Sequence, residues 1–412
     1  MNKGPIALND CDLPQLEELF QELGEKRFRA KQAFRRIHMH GARSLDDFTE
    51  FSLALRDKLK AKEALPLLNC TESSVSSNGT EKYIFESPEE VPGRDGVRKR
   101  IFEAVWIVSN GKDERTRKTL CISSQAGCTL NCTFCATGTL PFIGNLRTYE
   151  ILDQIYQIQN LRQERITNVV FMGMGEPFHN YDNVIRAARI LNHPDGMHLS
   201  ARHITISTAG VVPAIHRFID ERQPFNLAIS LNHPDPEKRK ALMDVTEKHS
   251  LSELLAAAKR YGKELNRRIT FEYIMIPDQN MSDQDLNKLI SIARHLKCKI
   301  NLIPLNTTLH GWRAPTAQEI TGFQTALRNE GILAFNRGSP GKDVDGACGM
   351  LALKSLKARS ETDSKKELLY AGHNAAPTGE SPEGAEGSAG KNTSPAAEAA
   401  AMRNQRSGTG GL

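Results

Sequence analysis

From residue 118 to about residue 340, apolar runs of strand length alternate with stretches whose apolar residues recur at helical spacing. The strand candidates are "KTLCISS", "TNVVFMG", "HITIST", "FNLAISL", "ITFEYIMI" and "KINLIPL". Between them, "SLSELLAAAKRYG" opens on a capping box, Ser250 with Glu253, and closes at a glycine. "SDQDLNKLISIARHL" sets Leu286, Leu289, Ile290 and Ala293 on one face of a helix. Apolar strands alternating with amphipathic helices predict an α/β fold, a parallel sheet covered by helices. Six such units suit an open doubly wound sheet or a barrel, complete or partial, and periodicity does not choose between them.

The flanks differ. Residues 1 to about 75 read as helical: "LPQLEELFQELG" has helical apolar spacing, and "KRFRAKQAFRRIHMHG" follows it. The second segment interleaves Lys26, Arg27, Arg29, Lys31, Arg35 and Arg36 with Phe28 and Phe34. Such a helix can grip a phosphate backbone and stack a base. It can equally be a solvated basic face whose two phenylalanines sit in a small core. Two β-like runs, "KYIFES" and "RIFEAVWIVS", come next, split by the turn-rich "PEEVPGRDG". After about residue 357 the chain is rich in Ala, Gly, Ser, Pro and Glu and has little to bury, the composition of a disordered tail. The division this suggests is an accessory domain over 1–95, a core over 96–356 and a tail over 357–412.

With 412 residues, 39% hydrophobic and 25% charged, the chain is long enough for two or three domains. No apolar run is long enough to span a membrane, and "MNKGPIALNDCDLPQ" lacks the apolar core of a secretory signal. The expectation is a cytoplasmic protein, where structural disulfides are uncommon. A formal charge of +5 and a pI near 8.7 permit a polyanionic partner without establishing one.

The eight cysteines then stand out. Cys11, Cys70 and Cys298 are isolated and are expected to be buried or idle. "CISSQAGCTLNCTFCATG" gathers Cys121, Cys128, Cys132 and Cys135. The last three follow the pattern C-x3-C-x2-C. Structural zinc wants four ligands, usually as two close pairs. Three thiolates instead suit a [4Fe–4S] cluster with one iron open to a ligand that is not protein. That open iron could hold the amino and carboxylate groups of S-adenosylmethionine. Zinc with Cys121 as fourth ligand is the competing reading. Downstream, "FMGMGEP" puts Gly173 and Gly175 where backbone can approach a ligand closely, with Glu176 able to accept from an ammonium group. "KDVDGACGML" places Cys348 in a glycine-flanked loop past the last strand candidate.

The C-x3-C-x2-C spacing resembles the radical S-adenosylmethionine superfamily. The ordered set "CISSQAGCTLNCTFCATG", "FMGMGEPFHNYDNV", "ITISTAGVVPAI", "LAISLNHP", "CKINLIPLN" and "DGACGML" resembles the RlmN/Cfr family of radical S-adenosylmethionine RNA adenosine methyltransferases. The resemblance covers roughly residues 10 to 355, including "FRAKQAFRRIHMHGARSLDDFTEFSLALRDKL". It implies a partial barrel of about six β/α units behind a small N-terminal helical accessory domain. It also implies a [4Fe–4S] cluster on Cys128, Cys132 and Cys135, and S-adenosylmethionine held by Gly175, Glu176, Ser207, Ser230, Leu231, Asn232 and Asn306.

By the same resemblance Cys348 carries a methyl group as S-methylcysteine. Cys121 resolves the RNA adduct through a transient disulfide with Cys348, and Glu103 accepts the ring proton. Outside the resemblance, Glu103 would read as an exposed strand residue. The implied substrates are C2 of adenosine in 23S rRNA and perhaps in tRNA, with an electron donor such as flavodoxin. A C8 methyltransferase of the same family and a non-catalytic metal-containing RNA-binding protein are the alternatives. Family members usually read Ser-Leu-His-Ala where this chain has "SLNHP", and Arg337 is kept while Gly338, Pro340 and Gly341 replace an arginine-rich run.

Overall fold

The computed structural model describes residues 7–93, 96–110, 116–306, 309–338 and 340–351. All of them belong to one compact unit, Met1–Arg359. The expected tail, 357–412, lies outside the described residues.

The N-terminal segment folds as three short helices, α1 (Leu13–Glu22), α2 (Arg27–His38) and α3 (Leu53–Lys60). Asp12 and Gln15 cap α1 reciprocally, and Leu16 and Phe20 bury its apolar stripe. On α2, Ala30, Ala33, Phe34 and Ile37 recur at helical spacing and are buried. The two phenylalanines part company: Phe34 is 1% exposed in the core, whereas Phe28 is 52% exposed beneath the Arg29 guanidinium.

One ten-stranded sheet follows. It comprises β1 (Asn69–Val75), β2 (Glu81–Gly93), β3 (Gly96–Asn110), β4 (Thr116–Ile122), β7 (Asn168–Phe171), β8 (Ile204–Thr208), β9 (Asn226–Ser230), β10 (Ile269–Met275), β11 (Cys298–Pro304) and β12 (Ala334–Asn336). Two short strands, β5 (Gln125–Ala126) and β6 (Gly144–Asn145), pair separately. β1 to β4 are antiparallel neighbours, and from β4 to β12 every ladder is parallel. The parallel crossovers carry α4 (Thr148–Arg162), α5 (Tyr181–Asn192), α6 (Val212–Asp220), α7 (Pro236–Leu242), α8 (Val245–Lys248), α9 (Leu251–Glu264), α10 (Asp283–Arg294) and α11 (Ala317–Asn329). No ladder joins β1 to β12 among the described residues, so the barrel is partial.

Four local expectations need correction. The turn in "PEEVPGRDG" is confined to its end: β2 runs on to Gly93, with Pro88 at a bulge between Glu86 and Glu90 and Pro92 paired with Val97, and β3 begins at Gly96. The helical segment ends before residue 69, where β1 begins. Helix α9 passes through Gly262 to Glu264, and Ser250 and Glu253 cap its start as expected. A seventh parallel strand, β12, extends the six that the apolar pattern marked.

The two faces of the parallel sheet differ. Ile206, Leu227, Ile229, Phe271, Ile300 and Leu302 are fully buried and alternate with residues on the other face. That other face carries Cys121, Ser207, Ser230, Glu272 and Asn301, one of them opposite the next along β9, β10 and β11. A polar inner face in an incomplete barrel is a place for a ligand rather than a packed core.

Candidate active site

The cysteine loop leaves β4 at Ile122 and is pinched at its base by the β5–β6 pair. At that neck Gly127 has φ +77, and a Cβ there would lie 2.1 Å from the Pro141 carbonyl oxygen. Ser123 anchors the entrance. Its hydroxyl donates to the Glu103 carbonyl at 2.6 Å and accepts from the Met174 N–H at 2.8 Å. Inside the loop the Cys135 N–H donates to the Cys132 carbonyl at 3.1 Å. The Ala136 N–H donates to the Gly349 carbonyl at 2.7 Å, tying the cysteine loop to the loop that carries Cys348.

One pocket brings these pieces together. Cys128, Cys132 and Cys135 line it from the loop, Gly175, Glu176, Ser207, Ser230 and Asn232 from the ends of the parallel strands, and Cys348 from the C-terminal loop. The glycines of "FMGMGEP" serve the protein's own packing. A Cβ on Gly173 would lie 2.7 Å from Ile122 backbone, and one on Gly175 (φ +96) 2.4 Å from Gln125 Cβ. They let the turn after β7 press against the start of the cysteine loop.

Glu176 is buried, and its carboxylate accepts from the Phe178 and Ala209 N–H groups at 2.9 and 2.7 Å. Burial nevertheless outweighs these bonds and pushes its pKa up to about 7. Asn232 adopts φ +55, a region asparagine tolerates, and its side-chain oxygen accepts from the Ile274 N–H at 3.0 Å. The asparagine of "SLNHP" thus holds the end of β9 against β10.

Four of the expected residues stand outside the pocket lining. Leu231 is fully buried in the core and meets the site only through its backbone. The Asn306 side chain donates to the Cys348 carbonyl at 3.2 Å, positioning that loop. Cys121 lies opposite Val105 on β3, and Glu103 is two residues before Val105, so both side chains share one face. Glu103 is buried, not exposed, and pairs with the Lys82 ammonium at 3.5 Å. Burial and the neighbouring Cys348 push the Cys121 thiol up to about 12, while the Arg337 guanidinium acts against that rise.

Arg337 and Glu272 line the pocket too, and sequence reasoning gave neither a role. Arg337 donates to Met172 Sδ at 2.9 Å and lies 3.5 Å from the Glu272 carboxylate. The polar residue inside the apolar "ITFEYIMI" was the one sequence signal for Glu272. All eight cysteines are free, so Cys121 and Cys348 are not joined here. Cys298 is buried, whereas Cys11 and Cys70 are half-buried.

The donor set fits a cluster. Burial raises all three loop thiols, Cys128 to about 12, so they ionise only against a strongly cationic partner. No three His, Cys, Asp or Glu side chains among the described residues converge on a single ion. Three thiolates from one loop suit a cubane, in which each takes its own iron, better than four-coordinate zinc. Cys121, the fourth ligand that zinc would need, has its charge interactions with Cys348 and Arg337 instead.

Comparison with known proteins decides the family. Residues 122–290 match the radical SAM superfamily, and residues 6–65 match the ribosomal RNA large subunit methyltransferase N-terminal domain. A probable dual-specificity RNA methyltransferase RlmN of Leptospira interrogans is 52% identical over 350 residues, 85% of this chain and 96% of that protein. The chain belongs to the RlmN family. The dual-specificity RNA methyltransferase RlmN of Syntrophobacter fumaroxidans is 40% identical over 84% of this chain and 98% of its own. A radical SAM methyltransferase from Sphaerobacter thermophilus, solved by crystallography, superposes with a TM-score of 0.77 at 36% identity, covering 85% of this chain and all of that one.

As an RlmN-family protein this is a radical SAM RNA methyltransferase, and its partial α/β barrel is the fold of that solved relative. The family implies S-adenosylmethionine, a [4Fe–4S] cluster and an RNA substrate. No helix among the described residues is long and apolar enough to cross a membrane.

Proposed function

We propose that this RlmN-family enzyme methylates C2 of adenosine in 23S rRNA and in tRNA, through an S-methylcysteine formed on Cys348. The observation that carries the reading is the convergence of Cys348 with Cys128, Cys132 and Cys135 on one pocket. The dual-specificity name shared by the relatives supports two RNA substrates. Cys128, Cys132 and Cys135 hold the cluster, which when bound supplies the electron that cleaves S-adenosylmethionine to a 5′-deoxyadenosyl radical.

The chain's own residues do the rest. Gly175, Glu176, Ser207, Ser230, Leu231, Asn232 and Asn306 hold S-adenosylmethionine at the strand ends, Glu176 taking its ammonium group. Cys348, as thiolate, accepts a methyl group from one S-adenosylmethionine; its S–CH3 bond forms as the sulfonium bond breaks. Activated by loss of a hydrogen atom, that methyl carbon bonds the electron-poor C2. The adduct would give up its unpaired electron to the oxidised cluster as Glu103 takes the C2 proton. The Cys121 thiolate then attacks the Cys348 sulfur, the S–CH2 bond breaks, and the freed carbon takes a proton to become the methyl group as the disulfide forms. Arg337 lies where it favours the Cys121 thiolate.

The test is nucleoside chromatography of 23S rRNA and tRNA after anaerobic reaction with flavodoxin or dithionite as electron donor. 2-Methyladenosine on both RNAs is the expected product, and its presence on one alone would restrict the substrate to that RNA. 8-Methyladenosine alone would move the assignment to C8, and no methyladenosine on either RNA would sink it. Tandem mass spectrometry of the tryptic peptide "DVDGACGMLALK" should find a methyl group on Cys348.

A further inference from the structure

Arg239 lies on α7 and is fully buried. Its guanidinium Nε donates to the Leu231 carbonyl at 3.0 Å and Nη1 to Thr246 Oγ1 at 2.6 Å. Nη2 donates to the Ala209 carbonyl at 2.6 Å and to the Ser230 carbonyl at 3.0 Å. All four acceptors are neutral oxygens, and no carboxylate pairs with it among the described residues. Leaving a cation in the interior without an anion is costly, so proteins rarely do so without a use for the charge.

The position of Arg239 suggests the use. Its four acceptors include the backbone just past β8 and β9, which walls the pocket beside Ser207 and Ser230. Its helix is latched to the cysteine loop, since the Leu242 carbonyl accepts from the Thr133 N–H at 3.1 Å. One residue past α7 and Met243, the Asp244 carboxylate accepts from the Asn131 N–H at 3.2 Å. The Arg239 guanidinium therefore sits behind the loop segment that carries Cys132. The carboxylates on this loop and pocket include Asp244, bonded to Asn131, and Glu176 and Glu272 in the lining. Arg239 brings a positive charge to that side of the loop, with no carboxylate beside it among the described residues.

We infer that Arg239 is a positioning residue whose unneutralised charge raises the reduction potential of the cluster held by Cys128, Cys132 and Cys135. The same guanidinium fixes the strand ends that face the cluster. Adding one electron makes a thiolate-bound cluster more negative, and a fixed cation nearby favours that state. This rests on the cluster reading above.

The test is an EPR-monitored redox titration of anaerobically reconstituted protein, with iron per chain measured in parallel. Arg239→Lys keeps the charge and loses most of the hydrogen bonds; Arg239→Gln loses the charge. The expected result is a lower potential in the glutamine variant and a wild-type potential in the lysine variant, both with wild-type iron content. Equal shifts in both variants, or no shift in the glutamine variant, would overturn the inference.

Should the glutamine variant assemble no cluster, Thr246→Asp sets a carboxylate at the position of the present 2.6 Å acceptor and neutralises the cation in place. It should lower the potential in the same way, and an unchanged potential would overturn the inference. Wild-type protein that takes up no iron would instead sink the cluster reading and this inference together. The outcomes above all leave the wild type loaded, so the two failures are distinguishable.

Discussion

Cys121 shows how one residue's chemistry depends on its neighbours in space. Burial keeps its thiol protonated near neutrality, and Arg337 supplies the charge that opposes this. In iron-loaded protein, iodoacetamide should therefore modify half-buried Cys348 well before buried Cys121, as read by tandem mass spectrometry. Equal labelling would contradict that order. Arg337→Met removes the cation, so the limb of the methylation pH profile that rises with Cys121 ionisation should move to higher pH; an unmoved limb would remove Arg337 from the reaction.

Glu176 makes a second prediction at the same scale. With a pKa of about 7 it is largely protonated in slightly acidic solution. Binding of an ammonium group needs the carboxylate, so S-adenosylmethionine affinity should rise as pH passes through about 7. Calorimetry should find this dependence lost in Glu176→Gln. In the ligand-free protein the same shift has the opposite consequence for folding. The folded state keeps a proton that the unfolded chain releases near 4.5, so this contribution to stability is present below 4.5 and lost as pH rises to about 7.

At the scale of elements, the turn after β7 and the cysteine loop form one packed unit. Gly175→Ala puts a Cβ into Gln125 on a backbone with φ +96. The expected cost is about 2–3 kcal/mol or more in chemical denaturation, with iron content falling alongside. Wild-type stability in that variant would mean that the turn relaxes freely. The six central strands were legible because each is a short apolar run between turn signals and amphipathic helices. The far half of β2 was not, because its prolines and glutamates carry loop composition and only pairing with β3 around a bulge makes them a strand. β12 spans three residues, too few to show a period. Gly262 reads as a helix end, yet a glycine inside a helix costs only about 1 kcal/mol, and α9 is held by its buried face.

On the scale of the whole molecule, the N-terminal helices are joined to the barrel by ion pairs with a buried side. Arg43 donates to the Asp153 carboxylate at 2.6 Å, and Asp153, 3% exposed, also accepts from the Leu68 N–H at 2.7 Å. Arg43→Met leaves that carboxylate buried with no cation beside it. The expected loss is roughly 3 kcal/mol in denaturant unfolding, with faster proteolysis within residues 6–65. The exposed Phe28–Arg29 pair on α2 presents a ring with a cation over it, a combination on which single-stranded RNA can stack. Phe28→Ala should weaken RNA binding several-fold at constant salt, measured by filter binding or anisotropy, with protein stability unchanged. Undiminished affinity would remove this helix from the RNA surface.

The sequence by itself determined the strand–helix alternation, the three-cysteine spacing and the family, because these are written in neighbouring residues. It marked Cys348, Cys121, Glu176 and the strand-end polar residues through motifs whose order along the chain carries the information. Only the tertiary structure decided which groups share an environment. Register across β3, β4 and β7 sets Glu103 and Cys121 on one face, and burial makes Glu103 an interior carboxylate beside Lys82. Closure of the C-terminal loop brings Cys348 and Arg337 to the pocket, and the packing of α7 puts an unpaired guanidinium behind the cysteine loop. Burial, charge proximity and strand register are properties of the folded arrangement, and no local stretch of sequence contains them.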